Sequence, residues 1–275
     1  MVKKQVYYIL KSNCFILFLC ISFSVSATDS LLYSVDLTSS YFTTDHLQNL
    51  YYINGKNEVI KYEFNSGIEY TFSDKRLGKP TYIDASNPMR VLVFFPDFYT
   101  VVIMDNTCSA MNIINLTSTS DKNSYLPYVV CSQADDNYFW IYDQLSRKLV
   151  KLDERGNKVL ESEAFDALFS DVVLPSQIIY YNQSVYLLDK NYRVLLFDLY
   201  GSFYNEIRTQ TIGYIQVVNN NFVFLQDNEM QMIDNTLLSR KNYPLPLPDV
   251  LQVRIHPNRL FLRTASQIGV YSVEY

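Results

Sequence analysis

Apolar and polar positions alternate with a period of two in short runs along most of the chain, the pattern of half-buried β-strands. The runs come in groups. The second run of each group begins near Leu50, Val91, Tyr138, Val185, Phe222 and Leu260, at intervals of 37 to 47 residues. Radial repetition of four-stranded blades has a period of about 40 to 50 residues. The groups span about 41–72, 81–116, 128–162, 177–207, 214–243 and 251–273. The last group offers only Leu251 to Ile255, Arg259 to Thr264 and Gln267 to Val273, while an earlier run, Leu31 to Leu37, belongs to no group. The pattern predicts an all-β fold, a six-bladed β-propeller whose N-terminal strand completes the last blade and closes the ring. A β-sandwich or irregular barrel is the alternative; it accounts for the strands but not for their grouping in fours.

Turn chemistry supports the grouping. Asn54-Gly55 separates two runs of the first blade, and both positions suit the positive φ of a tight hairpin. The uninterrupted apolar runs Val91 to Phe95 and Val101 to Met104 suit strands covered on both faces. Aspartate recurs in register: Asp97, Asp143, Asp189 and Asp227 follow the second strands, and Asp105, Asp153, Asp198 and Asp234 the third. Side chains that cap their own turns explain this recurrence. Between the third and fourth blades, Glu163 to Pro175 carries Phe165, Leu168, Phe169 and Val172 at helical spacing, which predicts a short helix that caps its blade or docks a partner.

Segments such as Asn49-Leu50-Tyr51-Tyr52-Ile53 followed by Val59-Ile60-Lys61-Tyr62, and Tyr138-Phe139-Trp140-Ile141-Tyr142-Asp143 followed by Lys148-Leu149-Val150-Lys151-Leu152-Asp153, resemble blades of the NHL and YncE-like exported propellers. The Tyr-, Asn- and Ile-rich chain as a whole also resembles secreted propellers of the Bacteroidota envelope. The resemblance implies a scaffold or binding role and brings no catalytic residue with it.

Residues 1–27 read as a secretory signal, with Lys3, Lys4 and Lys11 before an apolar core, Phe15 to Phe23, and the small-residue site Val25-Ser26-Ala27. The remaining 28–275 form a single domain in this reading, exported to the periplasm, the outer membrane surface or the medium, with no membrane insertion of its own. The signal carries three lysines and no acidic residue, so 20 basic face 28 acidic side chains in the rest of the chain. An acidic surface argues against nucleic acid as a partner. Two cysteines remain, Cys108 in an outer hairpin and Cys131 on the innermost strand of the next blade, a placement that favours separate thiols over a bridge.

Catalytic signatures are absent. The two histidines, His46 and His256, fall between first and second strands of blades that become neighbours on closure, and with Asp45 they make at most a thin metal site. No cofactor is expected. Aromatic residues are the outlier, with 24 Tyr and 17 Phe. Most should pack between blades, but Phe94-Phe95-Pro96-Asp97-Phe98-Tyr99 crosses a turn. Phe95, Phe98 and Tyr99, with Phe165 and Phe169 of the insertion, are therefore the candidate binding residues. The leading expectation is a non-catalytic interaction scaffold in the cell envelope with a protein partner. A carbohydrate- or small-ligand-binding module using tyrosines around the channel is the second, and a glycan hydrolase or lyase the third.

Overall fold

The structure, a computed structural model, describes residues 30–36, 38–119, 123–208, 213–234 and 239–273; the signal segment expected at 1–27 and Leu37 lie outside them. The described residues form six antiparallel four-stranded sheets. Five of these run in chain order from the inside outward, and their inner strands are Ser39–Thr44, Tyr82–Asp84, Pro127–Ser132, Pro175–Tyr181 and Gln216–Val218. We number these blades 1 to 5. Blade 6 runs from Gln252–His256 through Arg259–Arg263 and Gln267–Ser272 to an outermost strand supplied by Ser30–Asp36. Ser30 pairs with Ser272 and Asp36 with Gln267, with one bulge between Leu31 and Tyr33. The fold is thus the six-bladed propeller closed by the N-terminal strand.

Alternation builds the core. Val91, Val93 and Phe95 enter the cluster shared with blade 1, whereas Leu92 and Phe94, on the other face of the same strand, enter the cluster shared with blade 3. The remaining four clusters lie in the same way between successive blades, and the last joins Phe42, Leu50 and Ile60 of blade 1 to Phe261, Ile268 and Val270 of blade 6. A middle strand with no polar face is therefore required, since each buried aliphatic or Phe side chain contributes about 1.5–3 kcal/mol.

The aspartates divide into two roles. Asp105, Asp153 and Asp198 cap their own turns: Asp105 accepts from the N–H groups of Thr107 and Ser109, Asp153 from those of Arg155 and Asn157, Asp198 from those of Tyr200 and Ser202. In the set after the second strands, Asp143 and Asp189 also accept from their own turns, at the N–H groups of Ser146 and Asn191, and the set has a further role. Asp97, Asp143 and Asp189 accept from the N–H groups of Lys79, Leu126 and Leu174, which lie in the linkers that lead into their own blades. Blade 5 departs from this: Asn228 receives the N–H of Val250, which lies in the linker that leads out to blade 6.

The short helix expected within 163–175 is a single turn, Phe165–Leu168. Phe169 already has extended backbone, and Val172 is 65% exposed rather than part of an apolar stripe. Phe165 drives the arrangement: its ring stacks on Phe197 and meets Tyr142, so the insertion is anchored in the cluster between blades 3 and 4 and has no need of further helix.

Candidate functional site: the two mouths of the central channel

An antiparallel blade has two ends. One carries the turns between second and third strands and the linkers between blades, here the linker face; the opposite face carries the other two turns of each blade.

Three glutamines fasten the inner strands to one another. Gln177 donates to the Ile215 carbonyl and accepts its N–H, Gln216 does the same to Ile255, and Gln252 to Phe42. Elsewhere the Ser132 N–H donates to Asp84, and Tyr41 donates its hydroxyl to the Ile83 carbonyl. The channel inside this ring is narrowed by aromatic rings. Tyr41 lies 5.2 Å from Tyr82 and 5.1 Å from Tyr214, centroid to centroid. Burial raises the hydroxyl pKa of both Tyr41 and Tyr82, so both are neutral donors.

On the opposite face the channel opens into a cavity of about 400 Å³ lined by, among others, Asp45, His46, Asp84, Tyr180, Arg254 and His256. The two histidines and Asp45 do meet at one mouth, as their positions between first and second strands suggested. Asp45 is held by the Asn49 N–H and side chain and by the Tyr51 hydroxyl, and Asp84 by the N–H groups of Ser86 and Ser132. His256 Nε2 lies 2.8 Å from the Thr44 hydroxyl, and burial, reinforced by Arg254, lowers its pKa to about 4. Arg254 is 9% exposed, reaches the Tyr41 hydroxyl, and has an Nε with no partner. Among the described residues no three His, Cys, Asp or Glu side chains cluster as a metal site.

The linker face is different. A groove of about 220 Å³ between blades 3 and 4 is lined by Tyr128, Tyr142, Arg147, Leu174 and Lys190. Leu174 of this lining is 47% exposed, and Leu145, Val172 and Tyr192, within two residues of the lining residues Gln144, Val173 and Lys190, are 62, 65 and 48% exposed. Lys190 lies over the Tyr128 ring and donates to its hydroxyl.

The five candidate binding residues separate. Phe95 and Phe165 are each 2% exposed and belong to interblade clusters, so neither offers a surface to a partner. Phe169 is half-buried, edge-on to Phe165 and Phe203, with the Arg193 guanidinium over its ring. Phe98 is 54% exposed at the end of the single 3-10 turn Pro96–Phe98, and Tyr99 is half-buried with a left-handed φ of 48°. Sequence reasoning missed Arg254 and the glutamines, although Gln177, Gln216 and Gln252 all stand shortly before the second strands of their blades. Cys108 and Cys131 are free and buried.

No family model matches the sequence, and no curated protein matches it either. Among solved structures, a catalytically inactive variant of virginiamycin B lyase from Staphylococcus aureus, determined with quinupristin, superposes with a TM-score of 0.61 at 11% identity, covering 90% of this chain and 98% of that one. The WD40 propeller domain of Doa1 gives 0.58 at 14%, covering 85% and 78%. BamB from Moraxella catarrhalis gives 0.55 at 10%, covering 90% and 100%. At these identities the likeness is one of fold, and the chain is a β-propeller similar in architecture to all three.

Proposed function

We propose that this chain is an exported, non-catalytic propeller that serves as an interaction scaffold in a cell envelope, and that its partner protein docks on the linker face over blades 3 and 4. One observation carries the reading: Leu174 lines the groove and Leu145, Val172 and Tyr192, each within two residues of a lining residue, are exposed, although the fold has interblade clusters in which to bury such residues. Apolar groups gathered at one concave place mark an interaction surface, and the aromatic walls Tyr128 and Tyr142 are of the type that anchors a partner. The N-terminal pattern of lysines, apolar core and small residues supports export. No helix among the described residues is long and apolar enough to cross a membrane.

The test is site-specific photo-crosslinking in the native envelope, with the probe at Leu145, at Leu174, or at Met111 on the outer strand of blade 2. One envelope protein captured from Leu145 and Leu174 but not from Met111 is the expected result. Capture that is the same at all three positions, or absent from the first two, overturns the reading.

A further inference from the structure

We propose that the cavity on the face opposite the linkers is a binding site for a small carboxylate of the size of a sugar acid, received by the guanidinium of Arg254. The other buried cations of the molecule have partners. Lys61 is paired with Glu63 and Arg193 with Asp189 and Asp171, Arg263 donates to the Ser39 carbonyl and to Gln252, and Lys151 lies over the rings of Tyr138 and Trp140. Arg254, 9% exposed, reaches the Tyr41 hydroxyl but among the described residues makes no ion pair, and its Nε has no hydrogen-bond partner. A buried guanidinium with no carboxylate in contact is costly to keep from water, and a planar fork of N–H donors matches a carboxylate in two parallel hydrogen bonds.

The surroundings select the charge. Asp45 and Asp84 line the same cavity, so a dianion would face two carboxylates while meeting a single guanidinium. A monoanion matches the one cation. His256 is held neutral at pH 7 by burial and by Arg254, and it adds no positive charge to the mouth. The body of the ligand follows from the walls. About 400 Å³ lies in the range of small-molecule sites, and Tyr82, Tyr180 and Tyr181 line it together with Thr43, Thr44 and Ser86. That combination of aromatic and hydroxyl side chains suits a hydroxylated ring. The site stands on the face away from the docking groove, so it holds or fails independently of the scaffold reading.

The test is calorimetric titration of the full chain at pH 7 with sodium D-glucuronate, with glucose and with inorganic phosphate. Saturable binding of glucuronate is expected, with glucose about tenfold weaker or worse and phosphate weaker than glucuronate. Arg254→Gln should weaken glucuronate by about tenfold or more, and Arg254→Lys, which keeps a point charge but loses the fork, should weaken it by a smaller factor. Should Arg254→Gln fail to fold, Arg254→Lys and the ligand comparison on the wild type decide. Glucuronate binding no better than glucose, phosphate binding more tightly than glucuronate, or an Arg254 variant that folds and binds glucuronate like the wild type each overturns the proposal.

Discussion

The side chain of Gln252 takes hold of the backbone of Phe42, donating to its carbonyl at 2.8 Å and accepting its N–H at 3.4 Å, across 210 residues of sequence. This contact joins the inner strand of the last blade to that of the first, and Gln177 and Gln216 repeat it across the two preceding seams. Gln252→Ala leaves a buried N–H and a buried carbonyl unpaired, a loss of about 1–3 kcal/mol. The urea midpoint should fall with little change in slope, and an unchanged midpoint would show that the clamp is ornamental.

Removing the outermost strand of blade 6 tests closure from the other side. A chain that starts at Thr38 keeps every inner strand but bares the edge of Gln267–Ser272 and the ring of Tyr62, on which Tyr33 stacks at 5.1 Å. Thermal unfolding should begin many degrees lower than in the longer chain. The same melting temperature in both would mean that the ring does not depend on this strand.

His256 gives stability a pH dependence. Its folded pKa of about 4 lies below the unfolded value of 6.5, so the unfolded chain binds the extra proton first. Stability contributed by the neutral ring is complete above pH 6.5 and declines as pH falls toward 4, below which the loss levels off. Arg254, Arg259 and His46 disfavour the proton and Asp45 favours it, so burial together with the cations prevails. Comparing the wild type with His256→Gln by denaturation at pH 7 and pH 4.5 should show a smaller drop in the variant; equal drops would assign the effect to other groups.

The two thiols should be silent in the native state. Burial pushes the Cys108 thiol up to about 12 and raises that of Cys131 well above the ordinary range, so little thiolate exists at pH 8. Alkylation followed by peptide mapping should leave both unmodified until denaturant is added. Rapid native labelling of either residue would contradict the packing described here.

Gly156 ends the turn that Asp153 caps, with φ of 78°, and a Cβ there would stand 3.0 Å from Thr119 Cγ2 and 3.1 Å from Ile114 Cγ2. Gly156→Ala combines left-handed backbone strain with a tight contact and should cost about 1–2 kcal/mol. Gly67, whose φ is also positive but which has no neighbour within 4 Å, is the control, and its alanine variant should lose less. Equal losses would remove the steric part of the argument.

The blades could be read from the sequence because each obeys a local rule, alternation within a strand and Asp or Gly at its turns. Closure was legible for the same reason: three strands in the last group and one spare at the start admit few arrangements. The channel was not. Gln177, Gln216 and Gln252 look like ordinary polar residues, and each finds its partner backbone 38 to 210 residues away only after the ring exists. Arg254 stands between Val253 and Ile255 and passes for the polar position of an alternating strand, with no local sign that its outer surroundings are a cavity instead of solvent. The insertion was legible in its first turn only: the helical spacing runs on to Val172, but Phe165 packs on Phe197 and Tyr142 and the helix ends at Leu168.

Closure by the N-terminal strand also sets an order of events. Ser30 and its partner Ser272 are separated by 242 residues, so the first strand to be made has nothing to pair with until the last one arrives. Contacts this remote are slow to form, because the whole intervening chain must be ordered before they give any return. Until then Leu31 and Leu32 sit on a loose strand beside an open edge that fits the same strand of any neighbouring copy. The joint that makes the ring is therefore also the point at which two nascent rings can exchange arms, and crowding during folding, more than heat afterwards, is the condition under which this protein would assemble wrongly.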